Sequence, residues 1–127
     1  MLLITKAKAD SKKLLQPSAS QWSAIRGVAM TLKGTPIGTQ PTAYTRTSWK
    51  DKKIGAVSAV EVKACHNGDS MFVRLEWIDP RENRSESRSE FPDGAAVIFP
   101  IGGDAPLNTM GNEREGVNAW QWRADSS

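Results

Sequence analysis

Two side chains in this sequence are of a type that could meet a metal. Met110 lies in residues 108–125, NTMGNEREGVNAWQWRAD, ahead of Gly111 in a polar loop where neither core packing nor turn chemistry asks for a thioether. Read without context, a methionine in such a loop is most often a gap-filling hydrophobe and only seldom a ligand. His66 is the single histidine, beside Asn67-Gly68, where a turn-flanking role is the ordinary one. Cys65 precedes it directly, so on a strand the two point to opposite faces and make no nucleophile–base pair. Asp104, Glu113 and Glu115 carry oxygens for calcium, but their spacing matches no calcium loop, and a solvated loop is the simpler reading. The sequence has no Gly-x-Ser-x-Gly, phosphate loop, dinucleotide fingerprint or His-Glu-x-x-His. Together these readings argue against an enzyme acting by itself.

The elements that must position these groups are strand-like. Residues 25–32 alternate, with Val28, Met30 and Leu32 on one side, until Gly34-Thr35-Pro36 breaks the run. An extended strand is expected over residues 43–49. The runs 57–66 and 69–77 flank Asn67-Gly68, which suits both left-handed positions of a type I′ turn. That turn sets His66 opposite Asp69, Ala64 opposite Met71, Val62 opposite Val73, Val60 opposite Leu75 and Glu61 opposite Arg74. One face is then apolar and the other gains an opposite-charge pair; Trp77 is expected in the core. Residues 81–90, RENRSESRSE, contain no apolar side chain and read as a solvated loop. The unbroken apolar run 95–99 predicts a strand buried on both faces. Residues 101–116 form a long irregular connection, of a length that is commonly functional, before a last strand at 117–122.

Short strands without an amphipathic helix predict an all-β fold, an antiparallel β-sandwich of immunoglobulin-like or DOMON-like architecture. Residues 1–20 are expected as a flexible arm and 21–127 as one domain. A chain of 127 residues is long enough for one core. Its 39% hydrophobic and 24% charged residues describe a folded soluble protein. A net charge of +3 spread along the chain gives no nucleic-acid stripe. One cysteine excludes an internal disulfide and any Cys-x-x-Cys site. The opening MLLITKAKADSKK lacks the apolar core of a secretory signal, and no run approaches a membrane span. The expected location is cytoplasmic as the chain stands, or periplasmic if it is a processed or co-exported form.

The order of Trp22, a strand with Val28 and Leu32, HNGDSMFVRLEWIDP, FPDGAAVIFP, TMG and VNAWQWRAD resembles the haem-binding gamma subunits of the ethylbenzene dehydrogenase and dimethylsulfide dehydrogenase group. The resemblance runs from about Trp22 to Asp125. It implies a β-sandwich electron-transfer subunit that binds haem b and accompanies a molybdopterin catalytic subunit and an iron–sulfur subunit. In that group a methionine of the Met-Gly loop is an axial ligand of the haem iron; here it falls on Met110. Gly111 would let the backbone approach the porphyrin, Val97, Phe99, Trp120 and Trp122 would supply apolar walls, and Arg123 or Arg114 would pair with propionates.

The group's second ligand is a lysine from later in the domain, and no lysine follows Lys63 here. The chain therefore reads as shortened at its carboxyl end. Three possibilities follow: another chain completes the sandwich and the site, His66 serves as the second ligand, or the protein is a haem-free structural subunit. Outside the resemblance, Trp49, Trp77, Trp120 and Trp122 also suit a β-sandwich module that stacks carbohydrate or other ligands.

Overall fold

The computed structural model describes residues 1–40, 42–86, 91–106 and 110–126. Part of the expected loop at 81–90 and part of the NTM stretch lie outside these residues. The chain divides into two compact units, Met1–Pro80 and Arg81–Ser127, where the sequence suggested one domain behind an arm.

In the first unit a long strand, β3 (Ala59–His66), is central, and three others pair with it: β1 (Ile4–Lys6), β2 (Val28–Thr31) and β4 (Met71–Glu76). Strand β4 runs antiparallel along residues 61–66 of β3. The opposite edge is shared end to end, by β2 antiparallel at Val28↔Val62 to Thr31↔Ala59 and by β1 parallel at Ile4↔Ala64 to Lys6↔His66. The parallel β1 departs from a purely antiparallel sheet, and it comes from the segment expected to be an arm. Asp10 then caps a single turn, α1 (Ser11–Leu14), its side chain accepting from the Lys13 N–H at 2.9 Å. That turn carries Leu14 into a core with Trp22, Ile25, Cys65 and Phe72. Apolar burial therefore orders residues the sequence reading left in solvent.

The β3–β4 hairpin forms, with a register two residues from the expected one. The pairs are His66↔Met71, Ala64↔Val73 and Val62↔Leu75. The turn centres on Gly68-Asp69. Only Gly68, at φ 107°, is left-handed, and the Asn67 side chain accepts from the Asp69 and Ser70 N–H groups at 3.1 and 3.0 Å. Asn67 thus builds the turn from its flank. A slip of two keeps every side chain on its face, so the apolar face survives while the charge pairing changes. Lys63 lies opposite Arg74 and Glu61 opposite Glu76. The cations turn elsewhere: Lys63 donates to the Trp22 carbonyl at 3.2 Å, and Arg74 donates to the Pro17 carbonyl at 2.8 Å and pairs with Glu76.

Residues 43–49 form a helix, α2 (Ala43–Trp49), not a strand. Thr42 caps it, its hydroxyl oxygen accepting from the Thr45 N–H at 3.1 Å. The β-branched and aromatic composition suggested a strand, and the local cap outweighs it. Lys52 extends the C-terminal end, its ammonium 5.0 Å from the Trp49 ring centre. Trp77 follows β4 and is half-buried, outside the buried core.

The second unit is a two-stranded antiparallel ribbon, β5 (Gly94–Pro100) with β6 (Val117–Arg123). The apolar run of β5 is half-buried at most, so it is not covered on both faces as expected. Strands in two open sheets, with few and short helices, make the chain all-β and sandwich-like. Among the described residues no helix is long and apolar enough to cross a membrane.

Candidate cofactor site

Met110 and Gly111 are both left-handed, at φ 55° and 87°, and Met110 is the one non-glycine residue with positive φ among those described. For an unbranched side chain with a Cβ this conformation costs on the order of 1–3 kcal/mol. Neighbouring hydrogen bonds hold the turn in place. The Gly111 N–H donates to the Pro106 carbonyl at 3.0 Å, and the Asn112 N–H to the Glu115 carbonyl at 2.9 Å. The Asn112 side-chain oxygen accepts from the Arg114 and Glu115 N–H groups, each at 2.9 Å, and its amide donates to the Glu115 carboxylate at 3.0 Å. Gly111 is needed here twice over: a Cβ would lie 2.6 Å from the Glu115 carbonyl oxygen and 3.4 Å from the Val117 nitrogen. The Met-Gly turn therefore presses on the first residue of β6.

The thioether gains little from packing in return. Met110 is 68% exposed, so a strained backbone presents a soft ligand to solvent. An ordinary gap-filling methionine would be buried.

The ribbon beside this turn has one aromatic face. Register pairs Ala95 with Trp122, Val97 with Trp120 and Phe99 with Asn118, and alternation puts all six on the same side. The four wall residues named from the sequence, Val97, Phe99, Trp120 and Trp122, thus share a face. Phe99 and Trp120 pack edge to face at 5.3 Å. The tryptophans remain 40% and 45% exposed, an apolar surface open to a flat partner.

Arg123 is placed differently. It falls on the opposite face of β6, and its guanidinium donates to Asp125 and Glu86, each at 2.7 Å. Asp125 and Glu86 raise the Arg123 pKa, and the hydrogen bonds from Arg123 in turn hold that of Asp125 below the usual carboxylate range. His66 ends β3 in the first unit, half-buried, in register with Met71 and Lys6. Cys65 beside it is fully buried against Phe72, and burial pushes its thiol pKa up. Among the described residues no three His, Cys, Asp or Glu side chains gather as a metal site. The sequence reading missed Asn112 and Pro106, which build the Met110 turn; Asn112 three residues before Glu115 was the available signal.

The family pattern described as ethylbenzene dehydrogenase matches residues 19–127. The chain belongs to the ethylbenzene dehydrogenase family. Within curated proteins it is similar to three subunits. A protein of Haloferax mediterranei, provisionally named respiratory nitrate reductase heme subunit ORF7, is 30% identical over 87% of this chain and 37% of its own length. Dimethylsulfide dehydrogenase subunit gamma of Rhodovulum sulfidophilum is 37% identical over 50% of this chain and 24% of its own. Chlorate reductase subunit gamma of Ideonella dechloratans is 40% identical over 55% and 30%. The chain thus spans roughly a third of the length of these relatives. Met110-Gly111 and the strand carrying Trp120 and Trp122 lie within the matched residues.

Proposed function

We propose that this chain is a non-catalytic electron-transfer subunit that holds haem b, with the Met110 sulfur as one axial ligand, in a complex with a molybdopterin catalytic subunit and an iron–sulfur subunit. The observation that carries the reading is the exposed thioether held in a left-handed turn at the end of an aromatic ribbon. Family membership and the subunit names of the relatives support it.

When bound, haem b supplies a one-electron couple. Met110 offers sulfur, a ligand that favours ferrous iron and raises the reduction potential. Gly111 removes the side chain that would hold the turn away from β6. Val97, Phe99, Trp120 and Trp122 would exclude water from the group, which would also raise the potential by lowering the local dielectric. Arg123 stands outside this set, committed to Asp125 and Glu86 on the other face.

Absorption spectra of the protein expressed with ample haem test the reading. A Soret band, with sharp α and β bands after dithionite reduction, is expected; a featureless spectrum rejects the haem and leaves a structural subunit. Met110→Ala should release the haem or lower its potential by on the order of 100 mV, within the ~0.8 V that axial ligands span. An unchanged potential rejects Met110 as the ligand.

A further inference from the structure

We propose that the β1–α1 segment is a docking surface for an anionic membrane leaflet, on which the protein sits peripherally without crossing it. Charge is divided unevenly along the chain. Residues 1–80 hold twelve Lys and Arg against six Asp and Glu, whereas residues 81–127 hold five against eight, and every lysine lies at or before Lys63. Four lysines, Lys6, Lys8, Lys12 and Lys13, fall within one short stretch, and all are exposed. Their ammonium groups enter no ion pair among the described residues. The one acid between them, Asp10, turns its carboxylate to the Lys13 N–H to cap α1. The same stretch leaves aliphatic side chains in solvent: Leu3 and Ile4 are each 51% exposed, and Leu15 is 70% exposed.

The segment is fixed from behind. β1 pairs with β3, the Ala7 N–H donates to the His66 carbonyl at 2.8 Å, Leu14 lies in the core, and the Asn67 amide donates to the Ser11 hydroxyl at 3.1 Å. Exposed cations and aliphatics thus share one short segment that pairing with β3 and the burial of Leu14 hold in place. An anionic leaflet answers both, with negative headgroups for the ammonium groups and hydrocarbon below them for leucine and isoleucine. Nucleic acid fits poorly, because residues 1–20 contain neither arginine nor an aromatic side chain on which a base could stack. The segment also lies ahead of residues 19–127, over which the family pattern matches.

Sedimentation of the purified full chain with vesicles tests this, comparing phosphatidylcholine alone with phosphatidylcholine mixed with phosphatidylglycerol. Binding is expected only to the mixed vesicles, and it should fall steeply as salt approaches about 1 M, where the Debye length is ~3 Å. Each lysine near an anionic surface is worth roughly fivefold in partitioning. The combined Lys6→Gln, Lys8→Gln, Lys12→Gln and Lys13→Gln variant should therefore bind more than about a hundredfold more weakly. Leu15→Ser changes an exposed position, leaves the fold intact by circular dichroism, and should weaken binding by up to about tenfold. The proposal is overturned by equal binding to neutral vesicles, by salt-insensitive binding, or by a folded quadruple variant that binds like the parent. Retention on polyglutamate without binding to acidic vesicles would assign the surface to an acidic protein and also overturn it.

Discussion

The two units spend their apolar residues in opposite ways. In Met1–Pro80, a central strand with three partners gathers Leu14, Trp22, Ile25, Val62, Ala64, Cys65 and Phe72 out of water. In Arg81–Ser127, only Ala105 and Ala124 are buried among the described residues, while Phe91, Ile101, Met110, Trp120 and Trp122 are exposed. An isolated two-stranded ribbon is marginal in water. The first unit has a buried core of its own, and the second has almost none among the described residues. A ligand that covers the second unit supplies stability that the ribbon lacks, because binding only the folded form adds to its free energy of unfolding.

The largest effect expected from this contrast is in the first unit. Trp22→Ala should cost about 3–5 kcal/mol in denaturant unfolding of Met1–Pro80, as for other large core aromatics. Trp22→Phe should cost much less, because the buried indole N–H has no hydrogen-bond partner among the described residues and its removal relieves an unsatisfied donor. If the two substitutions cost the same, the indole is bonded in solution and the core is described wrongly. Next comes the ribbon. Trp120→Ala or Trp122→Ala should leave the haem-free unfolding curve nearly unchanged, yet weaken haem retention on the order of ten- to a hundredfold, from the apolar area each would cover. Haem titration followed by Soret absorbance measures this. A large loss of haem-free stability with unchanged haem affinity would make these side chains core residues instead.

A smaller effect separates strain from ligation at one residue. Met110→Gly removes the Cβ from a left-handed position and should stabilise the haem-free protein by about 0.5–1 kcal/mol, while abolishing the sulfur ligand. Gly111→Ala should do the reverse, since its Cβ would meet the Glu115 carbonyl oxygen at 2.6 Å, and it should cost about 1–3 kcal/mol. Thermal midpoints with and without haem resolve the pair. Stabilisation together with lost haem is the outcome that ties the strain to function; a destabilised Met110→Gly would show the thioether packing after all.

What could be read in the sequence follows from which forces act locally. The β3–β4 hairpin was legible because alternation and turn residues act over a few positions, and the ribbon strands because of their apolar runs, whereas the shared face of Val97, Phe99, Trp120 and Trp122 depends on the register between the two strands. The register of the hairpin was not, because Asn-Gly supports more than one turn and only the Asn67 side-chain bonds to the Asp69 and Ser70 N–H groups choose between them. Strand β1 was illegible for a different reason: three exposed residues with no alternation gain their structure from the edge of β3. The α2 helix carried a readable cap at Thr42 that composition overshadowed. At Met110 the residue type pointed to ligation through a family resemblance, but its left-handed backbone is set by Pro106, Asn112 and Glu115 around it, which no spacing rule reveals.

The smallest effect tests where the second unit keeps its charges. Asp125 has its pKa lowered chiefly by the side-chain hydrogen bonds from Arg123, so the folded state binds protons less readily than the unfolded one. The stability this contributes is present above the ordinary carboxylate value of 3.8 and is lost as pH falls through the lower folded value. Asp125→Asn should therefore flatten the acid limb of the unfolding curve slightly and leave the neutral-pH midpoint almost where it was, because exposed ion pairs contribute little. The informative readout is haem. If Arg123 belongs to the opposite face, freeing it from Asp125 leaves haem affinity and potential unchanged; a rise in affinity would mean that the released guanidinium reaches a propionate, and that the ribbon's two faces are less separate than their alternation requires.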